Sequence, residues 1–259
     1  MNAFQAVLLG IIQGLTEFLP ISSSGHLEIG HALLGIKNQD NLLFVINVHV
    51  ATVLSTIVVF RKDIGTLLKD LLKFEWNTSS KYVSMLLVSS IPIVIVGLLF
   101  KEEIESLFTG NLLFVGYMLL FTSAMLTLTV YVKKSDQELT FPKAFIIGVA
   151  QMLAALPGIS RSGTTIATGL LLKLNKEDVA RFSFLMVLIP ILGAALLDIT
   201  KGEINTNHAN FVNLLAGFIA AFLTGLLACS WMIKIVKRGK LIYFAIYCTL
   251  IGLIAIFAA

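Results

Sequence analysis

Long apolar runs alternate with short polar stretches along the whole chain. Six runs, at 43–60, 82–100, 112–132, 182–198, 212–232 and 241–258, read as membrane-spanning helices, since crossing a hydrocarbon core takes about 17–25 residues. Two further apolar stretches, 3–30 and 144–172, are broken near their middles by Pro, Gly and Ser. Each half has roughly 9–16 residues, or ~14–24 Å of helix, enough to reach the bilayer midplane and return. A re-entrant hairpin is the expected form for both, with a plain span as the competing one. Pro92 and Pro190 are expected to kink the spans that hold them.

Composition sets the class. The chain is 57% apolar and 13% charged, whereas a soluble domain carries about 25% charge. The period-2 strands of a membrane barrel are absent, so the expectation is an all-α integral membrane protein, 1–259 forming one membrane domain. No basic segment precedes the first apolar run, the first lysine being Lys37, so no cleaved signal peptide is expected. The net charge of +4 comes from Lys and Arg lying between apolar runs, which points to loop bias and not to nucleic-acid binding. Cys229 and Cys248 fall inside apolar helices without metal-ligand spacing and read as small buried hydrophobes.

Loop charge orients the spans. Arg61, Lys62, Lys69, Lys73 and Lys81 lie in loop 61–81, Lys133, Lys134 and Lys143 in loop 133–143, and Lys234, Lys237, Arg238 and Lys240 in loop 233–240. Loops 31–42, 101–111 and 199–211 carry one lysine each. By the positive-inside rule the first three loops are cytoplasmic and the others external. Segment 144–172 then begins and ends inside, because Lys173, Lys176 and Arg181 follow it, and must be re-entrant.

A shift of 138 residues superposes the two broken segments. Gly10, Gln13, Leu15, Ile21, Ser22, Ser24 and Gly25 meet Gly148, Gln151, Leu153, Ile159, Ser160, Ser162 and Gly163. Each half reads as one hairpin and three spans: hairpin 3–30 within 1–132, and hairpin 144–172 within 142–259. Three spans per half reverse the orientation, so the expected architecture is six transmembrane helices plus two re-entrant helical hairpins in an inverted-topology repeat. In such folds broken helices meet near the midplane and their exposed ends form the site.

The polar residues at the breaks suggest what that site binds. New half-helices begin near Ser24-Gly25 and Ser162-Gly163, and a helix start favours a phosphate or carboxylate. Ser22, Ser23, Ser24, Ser160 and Ser162 add hydroxyls, for which helix capping is the competing use. Arg161 adds a fork suited to phosphate oxygens. Gln13 and Glu17, four residues apart, share a helix face. A carboxylate beside an anion site calls either for a divalent cation, Mg²⁺ or Ca²⁺, at Glu17 and Gln13, or for a salt bridge to Arg161. His26 is placed to relay a proton to or from Ser23. His49, with Asn47 and Thr52, reads as core hydrogen bonding, and Glu28, His31, Asp198 and His208 as solvated groups. Gly217, Ala221 and Gly225 form a small-residue face that permits close packing within the chain or a homodimer.

The stretch from Gln13 to His26, QGLTEFLPISSSGH, resembles the first signature of the undecaprenyl pyrophosphate phosphatase family, the bacitracin-resistance membrane proteins. The stretch from Pro157 to Thr165, PGISRSGTT, is similar to its second. The resemblance implies hydrolysis of undecaprenyl diphosphate to the monophosphate carrier lipid and phosphate, at the external face of the bacterial cytoplasmic membrane. It implies that Glu17, Ser23, His26 and Arg161 are catalytic. Phosphate would be bound by Ser22, Ser24, Gly25, Ser160, Arg161, Ser162 and Gly163, with a divalent cation as cofactor. Gln13 stands where many relatives have Glu, which shifts the cation's weight onto Glu17. A polyprenyl-phosphate flippase or secondary transporter using the same anion site is the rival reading, because fold alone does not fix function.

Overall fold

The computed structural model describes residues 1–36, 42–108, 110–132, 137–200 and 210–259, and among them it is helical without strands. Lys37, Lys133, Lys134, Lys201 and His208 of the sequence reading lie outside the described residues, as does the side chain of Asp198.

Both broken stretches are broken as expected. Helix α1 (Ala3–Phe18) opens on Asn2, which forms a reciprocal capping box with Gln5. It ends because Pro20 forces Leu19 into an extended conformation (ψ 143°), as the residue before a proline generally must be. After a turn, α2 (Ser23–Leu33) starts. The second pair is α8 (Phe141–Leu153) and α9 (Arg161–Leu171), separated by a segment holding Pro157 and Gly158, the latter at φ +96°. Helix α9 begins and ends 138 residues after α2 (161 − 23 and 171 − 33).

Between and after these pairs lie α3 (Leu42–Val59), α4 (Arg61–Leu71), α5 (Thr78–Leu99), the short α6 (Lys101–Glu105) and α7 (Leu112–Leu128), which ends in a 3-10 turn at Thr129–Tyr131. Then come α10 (Lys176–Met186), α11 (Leu188–Thr200), α12 (Phe211–Arg238) and α13 (Ile242–Phe257). Three helices, Thr78–Leu99, Leu112–Tyr131 and Phe211–Arg238, are long and apolar enough to cross a membrane. These correspond to the second, third and fifth expected spans.

The other three expected spans differ in form. The first ends at Val59 as expected, and after a 77° turn at Phe60 the chain continues as α4, in a stretch expected to be loop. Asp63 in its first turn and Lys69 in its last suit the helix dipole, and Ile64 and Leu67 face the core. The fourth is two helices meeting at Val187. Pro190 has no N–H for the carbonyl of Met186, so the helical ladder fails there. The sixth is a helix of 16 residues. Pro92, by contrast, is carried inside the single helix α5.

Helix α12 packs along α1 and α3, α5 packs along α8, and α7 along α13. The small face of α12 is used inside the chain: Gly217 lies against Phe44 and the Ala6 carbonyl, and Gly225 against Ser55 and Phe18. That occupies the face proposed for a homodimer. A Cβ on Gly10 would strike the Gly217 carbonyl, and one on Gly148 would strike that of Ser89. Main-chain atoms cannot give way as side chains can, so Gly148→Val should destabilise the protein by about 1–3 kcal/mol or more. A thermal unfolding midpoint in detergent equal to that of the wild type would contradict this packing.

Cys229 and Cys248 are fully buried. Glu28 and His31 are corrected: they are 7% and 4% exposed, not solvated. They share with Leu27 the face of α2 that packs against neighbouring helices.

Candidate active site

The two breaks are built alike and touch. Ser22 caps α2 by accepting from the Gly25 N–H at 3.1 Å, and Ser160 caps α9 by accepting from the Gly163 N–H at 3.1 Å. Each capping hydroxyl also pairs with the serine two residues on, Ser22 with Ser24 at 3.2 Å and Ser160 with Ser162 at 3.4 Å. Ser24 Oγ accepts from the Gly158 N–H of the opposite break at 3.3 Å, while Ser162 Oγ donates to the Leu19 carbonyl at 3.1 Å. The Ser160 N–H donates to Thr122 Oγ1 on α7 at 2.9 Å. Of the residues expected to bind phosphate, Ser22, Gly25, Ser160, Ser162 and Gly163 are thus buried and already engaged in holding the breaks together.

Glu17 is the hub of what the breaks bring together. It ends α1 one turn after Gln13, and its carboxylate is 7% exposed. Oε1 is ion-paired with the guanidinium of Arg161, the first residue of α9. Oε2 accepts from Ser23 Oγ at 2.6 Å and from Gln13 Nε2 at 2.9 Å. Ser23 can reach it because the chain reverses after Pro20 and Ser22 adopts φ +70°, a left-handed conformation unusual for a non-glycine residue. Such conformations cost of order 1–3 kcal/mol and gather at functional sites. Of the two answers offered for the carboxylate, the Arg161 salt bridge is formed.

The same cluster suits a hard cation. Glu17, Ser23 and Gln13 present oxygen atoms, the donor type that Mg²⁺ and Ca²⁺ prefer. Gln13 is fully buried, and its Oε1 has no hydrogen-bond partner. A buried acceptor of that kind is costly to leave alone, and a cation would satisfy it.

His26 stands apart. Its Nδ1 lies 2.7 Å from the Ser22 carbonyl and its Nε2 2.8 Å from the hydroxyl of Tyr247 on α13. A carbonyl only accepts, so Nδ1 carries a proton, and in the neutral ring Nε2 holds a lone pair that accepts from the Tyr247 hydroxyl. The expected contact with Ser23 is not made in this conformation. Ser23 is bonded to Glu17 instead.

A narrow cleft, lined by Glu17, Arg161, Thr52, Thr56, Phe18 and Phe184 among others, reaches the cluster.

Of two residues near the cluster, His49 was read from the sequence as core hydrogen bonding and Tyr247 was not singled out. Asn47 and Thr52 do make core hydrogen bonds, to the Leu214 and His49 carbonyls. His49 also bonds to the core, Nδ1 to the Val45 carbonyl at 2.8 Å, but its Nε2 lies 4.0 Å from Glu17 Oε2. An ionisable residue at membrane depth is a functional candidate by default, and that signal was present for His49. Tyr247, in a uniformly apolar run, offered none.

The family described as bacitracin resistance protein BacA matches residues 6–254. A protein of Bacteroides fragilis named undecaprenyl-diphosphatase is 56% identical to this chain over 260 residues, covering 99% of this chain and 98% of its own length. A protein of the same name from Christiangramia forsetii is 53% identical, with 100% and 99% covered. One from Methanosphaera stadtmanae is 40% identical, with 99% and 98% covered.

Proposed function

The chain belongs to the bacitracin resistance protein BacA family, and from this we propose that it acts as an undecaprenyl-diphosphatase. It hydrolyses undecaprenyl diphosphate to undecaprenyl phosphate and inorganic phosphate. In doing so it recycles the carrier lipid of peptidoglycan synthesis and confers resistance to bacitracin. It is a multi-pass helical membrane protein, and its substrate is a membrane lipid.

The observation that carries the chemistry is the contact of Glu17 with both Ser23 and Arg161 where the two broken helices meet. We read Ser23 as the nucleophile. When the diphosphate enters, its terminal phosphate takes the Arg161 guanidinium, whose fork matches phosphate oxygens. Glu17 then accepts the Ser23 proton. Ser23 Oγ attacks the terminal phosphorus, the bond to the bridging oxygen breaks, and undecaprenyl phosphate leaves. Water next attacks the phosphorus of the phosphoserine, the bond to Ser23 Oγ breaks, phosphate leaves, and Glu17 returns its proton to Ser23 Oγ. His26, whose Nε2 holds a lone pair once Tyr247 yields it, takes the proton of that water. Arg161 and the starts of α2 and α9 stabilise charge on the transferring group. A Mg²⁺ or Ca²⁺ held by Glu17, Gln13 and Ser23 would supply further neutralisation of that charge.

The remaining architecture is part of the same reading. Helices α1–α2 and α8–α9 are re-entrant hairpins of an inverted repeat, completed by six crossings. Two features support it: the matched caps 138 residues apart, and the pairing of α1 with α12 beside that of α8 with α5. The basic loops support an orientation in which the site opens to the external face, and the family membership supports the bacterial cytoplasmic membrane as its location.

The test is phosphate release from undecaprenyl diphosphate by the purified protein in lipid nanodiscs. Release with accumulation of the monophosphate lipid is expected. Movement of the lipid across proteoliposomes without phosphate release would overturn it in favour of a flippase.

A further inference from the structure

The 77° turn at Phe60 sets α4 almost at right angles to α3. With α3 as one of the six crossings, α4 runs along the membrane surface where that crossing ends. The helix has three faces. Ile64 and Leu67 turn toward the core. Leu68 and Leu72, one turn apart, are exposed. Lys62, Lys69 and Lys73 recur at helical spacing on a third face and are exposed as well. The turn beyond α4 adds two aromatic rings. Phe74 has φ +53°, a left-handed conformation that a bulky residue rarely adopts and glycine adopts freely. Its side chain is 92% exposed and that of Trp76 73%, so packing within the chain accounts for neither. An apolar patch rimmed by charge marks an interaction surface. The sign of the charge selects the partner. Of the three acidic residues in 61–81, Asp63 is paired with Arg181 and Asp70 with Lys73. Arg61, Lys62, Lys69 and Lys81 then outweigh Glu75.

We propose that α4 and the turn through Trp76 form an interfacial anchor that binds the headgroups of anionic phospholipids. Leu68, Leu72, Phe74 and Trp76 enter the boundary between headgroups and acyl chains, the depth that amphipathic helices and tryptophan favour. Lys62, Lys69 and Lys73 stay at the headgroup phosphates, as basic residues on a helix beside a crossing do. The lipid held here is a bilayer lipid and not the substrate, since no residue of α4 belongs to the cluster around Glu17. The inference rests on the reading of α3 as a crossing and on no step of the phosphatase chemistry.

The two tryptophans of the chain, Trp76 and Trp231, make the test direct. Trp231→Phe leaves Trp76 as the reporter. Trp76→Phe leaves Trp231, which lies in the long helix α12 packed along α3. The full-length protein is placed in nanodiscs of mixed phosphatidylglycerol and phosphatidylcholine, with brominated chains on one lipid or the other, because bromine quenches tryptophan on contact. Both reporters should be quenched. Trp76 should prefer phosphatidylglycerol by about fivefold or more, the contribution of a single lysine at an anionic surface. Lys62→Gln/Lys69→Gln/Lys73→Gln should bring that ratio close to one, as should high salt on the unaltered lysines. The unfolding midpoint and the quenching of Trp231 should not change with the lysines. Equal quenching of Trp76 by the two lipids, or a preference that survives the lysine changes, overturns the headgroup site. Trp76 quenched by aqueous acrylamide but not by bromine lies in water, and Trp76 shielded from both lies under another chain or a second copy. Either result overturns the anchor while the crossings stand. If Trp231 also escapes bromine, the reading of the crossings fails with it.

Discussion

Arg161→Ala is expected to lower phosphate release by about a thousandfold or more, and to destabilise the protein as well. The guanidinium opens α9 and, in the resting site, neutralises Glu17. Under the mechanism proposed above it moves to the terminal phosphate. A single donor aimed at charge in the transition state contributes about 10²–10³ in rate, and an arginine that stabilises a transferring phosphoryl group about 10³–10⁵. Arg161→Lys keeps the charge but not the two-pronged geometry, so it should recover only part of the loss. Removing the arginine also leaves Glu17 buried without its counter-ion, and breaking a buried pair on one side costs about 3–5 kcal/mol. The double variant Glu17→Gln/Arg161→Ala has no lone charge to bury, so it should unfold at a higher temperature than Arg161→Ala while remaining inactive. Phosphate assays and thermal unfolding on the three variants check both halves. An Arg161→Ala protein with wild-type turnover would remove Arg161 from the chemistry.

That ion pair also marks how far the amino-acid order alone reaches. Both helix breaks were legible because proline, glycine and serine act locally: Pro20 dictates the conformation of Leu19, and Ser22 and Ser160 cap whatever helix follows. The three long spans were legible because length and apolarity suffice to define them. The meeting of Glu17 and Arg161 was less so. The two residues are 144 positions apart, and charge reasoning left a cation and a salt bridge as alternatives. Helix α4 was hidden by its own charge, since five basic residues between spans read as loop when only one face of the helix packs inward. The buried positions of Glu28 and His31 depend on which neighbours cover α2, a matter of tertiary packing. The capping serines were assigned to phosphate because hydroxyls at a helix start serve either purpose. Only the bonds to Gly25, Gly163 and Leu19 show the structural one in use.

Ser23→Ala and His26→Ala should fail at different steps. Ser23 Oγ is 2.6 Å from the Glu17 carboxylate and is only half-buried, so it has both a proton acceptor and an exit toward a substrate. Its removal takes away the nucleophile itself. Turnover should fall by about three orders of magnitude or more, as when a member of a nucleophile–base pair is lost, and no phosphorylated protein should form. His26 is not bonded to Ser23, so attack on the lipid diphosphate can proceed without it. Its Nε2 lone pair becomes useful once a phosphoserine awaits water, because general-base assistance contributes about 10²–10⁴ to such a step. His26→Ala should therefore release undecaprenyl phosphate in a single burst equal to the protein present, and retain the phosphate on Ser23. Substrate carrying ³²P in the terminal phosphate, followed by acid quench and mass spectrometry of the tryptic peptide, distinguishes the two variants. If Ser23→Ala turns over within about tenfold of the wild type, water attacks the diphosphate directly and Ser23 serves only to orient Glu17. If His26→Ala is slow without accumulating phosphoserine, His26 acts before the covalent step, and its bond to Tyr247 must open as the substrate binds.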